Sequence, residues 1–162
     1  MEQHTIPPIF DQNSKVLILG TFPSVLSREE QFFYGNPRNR FWRVMAEIFG
    51  SDLPKTPAEK TALLLNNRVA LWDVVAFCDI EASYDASIRN VIPNDLSRII
   101  GKADIRQVFT NGATADRLYR KLCLPQTGLQ AVCLPSTSPA NAAYSLERLI
   151  EAWRHITTVT AD

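Results

Sequence analysis

The stretch Lys15–Trp42, KVLILGTFPSVLSREEQFFYGNPRNRFW, restricts the possible folds more than any other part of the chain. Its opening run, KVLIL, is short, unbroken and β-branched near its start, which is the pattern of a strand buried on both faces in the middle of a parallel sheet. Gly-Thr-Phe-Pro cannot continue that strand. Gly20 permits close backbone approach, while Pro23 fixes φ and removes a donor. Together they turn the chain over the strand's carboxyl end, where open α/β sheets keep their ligand crevice.

Three more runs read as strands of the same sheet: Val69–Val75, Ile105–Thr110 and Leu129–Leu134. Helical periodicity falls between them, over Arg40–Gly50, from Thr56-Pro57 to Asn66-Asn67, from Pro93 through Ile100, over Ala113–Leu122 and over Ala142–Thr157. Residues 1–14 are polar with Pro7-Pro8 and read as an arm laid across the body. This alternation predicts a three-layer α/β/α sandwich with a central four-stranded parallel sheet, formed by one domain over residues 1–162. Loops after the first, second and fourth strands then converge on one rim.

Several function classes are disfavoured by composition. The chain has 162 residues, with seventeen basic and seventeen acidic side chains, so it does not grip long nucleic acid by charge alone. A compact domain touching a few phosphates needs only local positive potential. The three cysteines, Cys78, Cys123 and Cys133, lack metal-ligand spacing and are expected to be buried thiols, with no metal and no cofactor. No G-x-G-x-x-G follows a strand and no Walker A sequence occurs. The opening MEQHTIPPIF has no run of signal-peptide length, so a soluble, cytoplasmic protein is expected; a monomer with no membrane partner is expected as well. His4 and His155 are isolated and read as surface residues.

Four groups of residues stand out chemically. Phe32, Phe33 and Tyr34 cannot all enter a core from one side, so they either wall a pocket for a planar base or staple a long loop. Arg38, Arg40 and Arg43 follow, as phosphate contacts at the crevice mouth or as a solvated helix start. Asp73 interrupts the apolar VALWDVV and must be hydrogen-bonded, as a ligand-reading group or as a loop cap. Ser136 and Ser138, in the Pro-braced loop PSTSPAN, suit phosphate contacts or capping of the last helix. Asn111, before Gly112, reads as a turn or cap residue.

GTFPS, FFYGNPRNRFW and LPSTSPANA, with LWDV, YDASI and FTNGATA in the same order, resemble the uracil-DNA glycosylase superfamily, and within it the hypoxanthine (deoxyinosine) branch. The resemblance spans nearly the whole chain. It implies a base-excision repair enzyme acting on DNA, double-stranded and possibly single-stranded, with Asn39 as the catalytic residue orienting a water through its amide oxygen. Phe22, Phe33, Tyr34 and Asp73 would hold the extruded base, and Arg38, Arg40, Ser136 and Ser138 the DNA phosphates. Three cysteines cannot hold the four-thiolate iron–sulfur cluster of some relatives. The chain also departs from the uracil-excising members, with Phe22 where they carry Asp and Leu134 where they carry His. No bulky wedge residue occurs across Thr137–Asn141. Weak or absent uracil activity is therefore expected. A mismatch-directed uracil or thymine glycosylase, a non-catalytic nucleic-acid or nucleotide binder, and a hydrolase of free nucleosides stand as alternatives.

Overall fold

The structure, a computed structural model, describes residues 1–81 and 87–161. The Tyr84–Ile88 run noted above lies outside the described residues except for its last two positions. The main sheet is parallel, in the order β3 (Val69–Asp73), β2 (Val16–Gly20), β6 (Gln107–Asn111), β7 (Ala131–Leu134). Every residue of β2 and β3 is buried, as expected for inner strands covered on both faces. Helices α1 (Val25–Glu30), α2 (Phe41–Ile48) and α3 (Pro57–Asn66) precede β3; α4 (Ser97–Ile100) precedes β6. Helices α5 (Ala113–Leu122) and α6 (Leu124–Thr127) separate β6 from β7, and α7 (Leu146–Trp153) and α8 (His155–Thr160) close the chain. The α3 helix packs on β3, α5 on β6 and β7, and α8 on β2. The sheet is thus flanked by helices as the sequence predicts.

Register aligns the carboxyl ends. Gly20 pairs with Asp73, Leu19 with Thr110, Thr110 with Cys133, and Asn111 with Leu134. Four residues of different character therefore end in one row, and the loops that leave them share one rim.

A second sheet departs from the prediction. It is antiparallel, with β1 (Glu2–Gln3), β4 (Val75–Asp79) and β5 (Arg89–Pro93) in the order β1-β4-β5. The expected strand Val69–Val75 breaks at Val74, because β2 also turns away there: Gly20 O accepts from Val74 N–H and Thr21 O from Val75 N–H. Asn94 braces the corner, its Nδ2 donating to the carbonyls of Asp73 and Val75. Pro93 therefore ends an edge strand, which its missing N–H permits, and does not begin a helix. The last predicted helix starts later, at Leu146, and divides at Arg154. Cys133, on the edge strand β7, is exposed, contrary to expectation.

The arm over residues 1–14 is built into both sheets. Ile9 and Leu71 exchange both backbone hydrogen bonds along the outer edge of β3, which covers an otherwise open edge. Trp72 Nε1 donates to Ile6 O, and His4 N–H donates to Ala76 O. His4, expected at the surface, is therefore buried.

Candidate active site

The rim encloses a cavity of about 820 Å³, within the range of small-molecule sites. Its wall comes from the loop after β2, the Phe33–Asn39 segment, the end of β3, the β6–α5 turn and the loop after β7.

Asp73 forms part of the wall and is almost wholly buried. Its Oδ2 is 2.8 Å from His4 Nε2, which carries its proton toward the carboxylate. Its Oδ1 accepts no hydrogen bond from the described residues and faces Gly20 and the cavity. A Cβ on Gly20 would clash with that oxygen and stand 2.9 Å from the Tyr34 hydroxyl. Glycine is required here because a carboxylate and a phenol converge over the backbone.

Asn39 lines the cavity, and its orientation is fixed by chemistry. Its Oδ1 accepts from Phe41 N–H (2.9 Å) and from the Thr137 hydroxyl (2.8 Å). Only the oxygen can accept from a backbone N–H, so the amide cannot be flipped. Its Nδ2 has no partner among the described residues and is the polar group left for the cavity. This corrects the expected role: the oxygen is committed to the protein, and Asn39 offers donors.

Behind Asn39 lies a relay that sequence reasoning missed. Thr137, fully buried, also accepts from Asn111 Nδ2 at 3.0 Å, and its N–H donates to Asn111 Oδ1 at 3.0 Å. The second Asn111 N–H goes to the Tyr34 hydroxyl at 3.1 Å. Asn111 is thus no simple turn residue but a bridge joining the aromatic segment to the last loop. The one signal in the sequence was a large amide at the end of a buried strand, in line with Gly20 and Asp73.

The aromatic run divides. Phe33 and Tyr34 line the cavity, whereas Phe32 turns outward onto Trp42 and Lys60. Tyr34 adopts φ 54° and stacks on Phe41 with centroids 4.1 Å apart. Phe22 also lines the cavity, with the Arg28 guanidinium over its ring.

Among the expected phosphate contacts, Arg38 is exposed, and Ser136 and Ser138 line the cavity. Each serine hydroxyl accepts from a backbone N–H two residues on, so it retains an O–H to donate outward. Arg40 does different work. Its guanidinium donates to the carbonyls of Tyr144, Ser138 and Asn141, which locks the last loop onto α2. The phosphate role expected of Arg40 is corrected accordingly, since those donors already satisfy carbonyls.

A parallel sheet whose strand ends carry Gly20, Asp73, Asn111 and Leu134 around such a cavity matches a known class. The sequence profile of the Uracil DNA glycosylase superfamily matches residues 7–157, and the chain belongs to that family. The hypoxanthine DNA glycosylase of Methanosarcina acetivorans is 36% identical over 150 residues, spanning 91% of this chain and 94% of its own. The protein of the same name from Methanosarcina barkeri is 32% identical over 143 residues, spanning 87% and 89%. The solution NMR structure of a candidate uracil DNA glycosylase from M. acetivorans superposes with a TM-score of 0.78 at 33% identity, covering 93% of this chain and 96% of that one.

Proposed function

We propose that this protein is a monofunctional DNA glycosylase that hydrolyses the N-glycosidic bond of a deaminated base, with hypoxanthine in deoxyinosine as the principal substrate. The observation that carries this reading is the presence in one cavity of an acceptor-only oxygen, Asp73 Oδ1, and a donor-only group, Asn39 Nδ2. Hypoxanthine presents an N1–H donor, which a carboxylate accepts. Adenine presents a lone pair at N1, which a carboxylate repels, so the undamaged parent base is rejected.

The target lies within a stacked duplex, so its nucleotide must be extruded into the cavity. The rings of Phe22, Phe33 and Tyr34 then offer apolar faces to the purine, and Asp73 Oδ1 accepts from N1–H. As the C1′–N9 bond lengthens, negative charge accumulates on the purine and positive charge on the sugar. Asn39 N–H groups donate to the charge leaving on the base. A fixed donor of this kind contributes on the order of 10²–10³ in rate. Water oxygen bonds to C1′, and its proton leaves to the purine or to solvent. The products are an abasic site and free hypoxanthine. A dissociative transition state asks little of the water as a nucleophile, so the site works by placement more than by base strength.

Duplex DNA is the partner, bound by one copy of the chain. Arg38, Ser136 and Ser138 contact phosphates around the extruded nucleotide. The test is a duplex bearing one deoxyinosine, incubated with protein and treated with alkali, beside matched duplexes bearing uracil or xanthine and beside free deoxyinosine. A strand break at the inosine site is expected, lost in Asn39→Ala with DNA binding retained; an intact inosine strand with the native protein overturns the proposal.

A further inference from the structure

We propose that His4, carried by the amino-terminal arm, is the residue that lets this site distinguish hypoxanthine from guanine. The inference rests on the reading of Asp73 as the group that accepts from the base. Hypoxanthine and guanine differ only at C2, where guanine carries an amino group beside N1–H. A carboxylate with both oxygens available would accept from N1–H and N2–H together and would favour guanine, the undamaged and far more abundant base.

Asp73 does not have both oxygens available. His4 Nε2 donates to Oδ2 at 2.8 Å, and side-chain exposure there is 1% for His4 and 5% for Asp73. Only Oδ1 faces the cavity. Hypoxanthine needs one acceptor on that edge and finds it. Guanine brings a second donor that loses its water and finds no second carboxylate oxygen. Leaving a buried donor unpaired disfavours guanine by on the order of tenfold to a hundredfold.

His4 is held for this contact. Its ring sits among Phe22, Phe33 and Trp72, with centroids 6.0 to 6.2 Å away. Its Nδ1 is buried with no partner among the described residues, a cost the fold carries while the Nε2 contact is kept. Its backbone is pinned by the bond to Ala76 O and by the pairing of Glu2 with Cys78 and Gln3 with Phe77. The arm thereby fixes which carboxylate oxygen is spent and where the other points. His4 touches no substrate in this arrangement and is a positioning residue.

Two variants test this. His4→Phe keeps a ring among the same neighbours and removes the donor; His4→Gln keeps a donor on a chain of comparable reach. Binding of free hypoxanthine and free guanine is measured by calorimetry for the native protein and both variants, together with single-turnover excision from a deoxyinosine duplex and DNA affinity. The native protein is expected to prefer hypoxanthine by about tenfold or more. In His4→Phe that preference collapses and excision falls by a similar factor with DNA affinity unchanged, while His4→Gln recovers most of both. A folded His4→Phe that keeps the native preference overturns the proposal, as does a native protein with no preference. Equal loss in both variants, tracking their melting temperatures, also overturns it. If the native protein prefers hypoxanthine but releases none from DNA, the glycosylase reading fails while the role of His4 stands.

Discussion

Replacing Thr137 by valine isolates the relay behind Asn39. Valine matches threonine in shape, so no cavity opens, and the backbone bonds of residue 137 to Asn111 and Arg40 are kept. What disappears is one hydroxyl that donates to Asn39 Oδ1 and accepts from Asn111 Nδ2. One buried Asn111 N–H is left unpaired, which costs about 1–3 kcal/mol of stability. For a chain of this size that corresponds to roughly 2–4 °C in melting temperature per kcal/mol. Asn39 keeps only the Phe41 N–H and is free to swing. Misplacing a catalytic group by about 1 Å costs on the order of a hundredfold. Single-turnover excision from a deoxyinosine duplex should therefore drop about ten- to a hundredfold, with DNA affinity unchanged. In an Asn39→Ala background the same change should cost nothing further, because both act through one group. If Thr137→Val melts earlier but excises at the native rate, Thr137 does not hold Asn39 and the relay has no part in catalysis.

Three other perturbations discriminate between roles. Gly20→Ala forces a methyl group into Asp73 Oδ1 and the Tyr34 hydroxyl, so excision should fall to background while far-ultraviolet dichroism stays native. Arg40→Ala should lower the melting temperature without changing the salt dependence of DNA binding, whereas Arg38→Ala should reduce the log–log salt slope by about 0.9 and leave the melting temperature alone. Burial pushes the Cys123 thiol from 9.0 up to about 11, and burial also raises the Tyr119 and Cys78 side chains. The unfolded chain then ionises first, so stability is complete below about pH 9 and is lost as pH rises toward 11. Denaturant midpoints should fall across that window, less steeply in Cys123→Ala; an unchanged slope would assign the loss to other groups.

Sequence alone determined the parts of this protein that rest on local regularity. An unbroken apolar run reports a doubly covered strand, and Gly20 with Pro23 reports where it must stop, so the parallel sheet and its active rim were legible. Residues grouped in one segment, such as Phe33, Tyr34 and Asn39, were legible as a cluster for the same reason. What only tertiary structure decided is how those groups are aimed. The partners of Asp73, Asn39 and Tyr34 are His4, Thr137 and Asn111, lying 69, 98 and 77 residues away in the chain. A hydrogen bond between side chains so far apart leaves no period in either segment. By sequence, therefore, His4 reads as a surface residue and Asn111 as a turn. The oxygen of Asn39 reads as its working atom by sequence, whereas in the fold Phe41 N–H and the Thr137 hydroxyl occupy it. Local chemistry selected the residues; packing selected which atom of each is left to act.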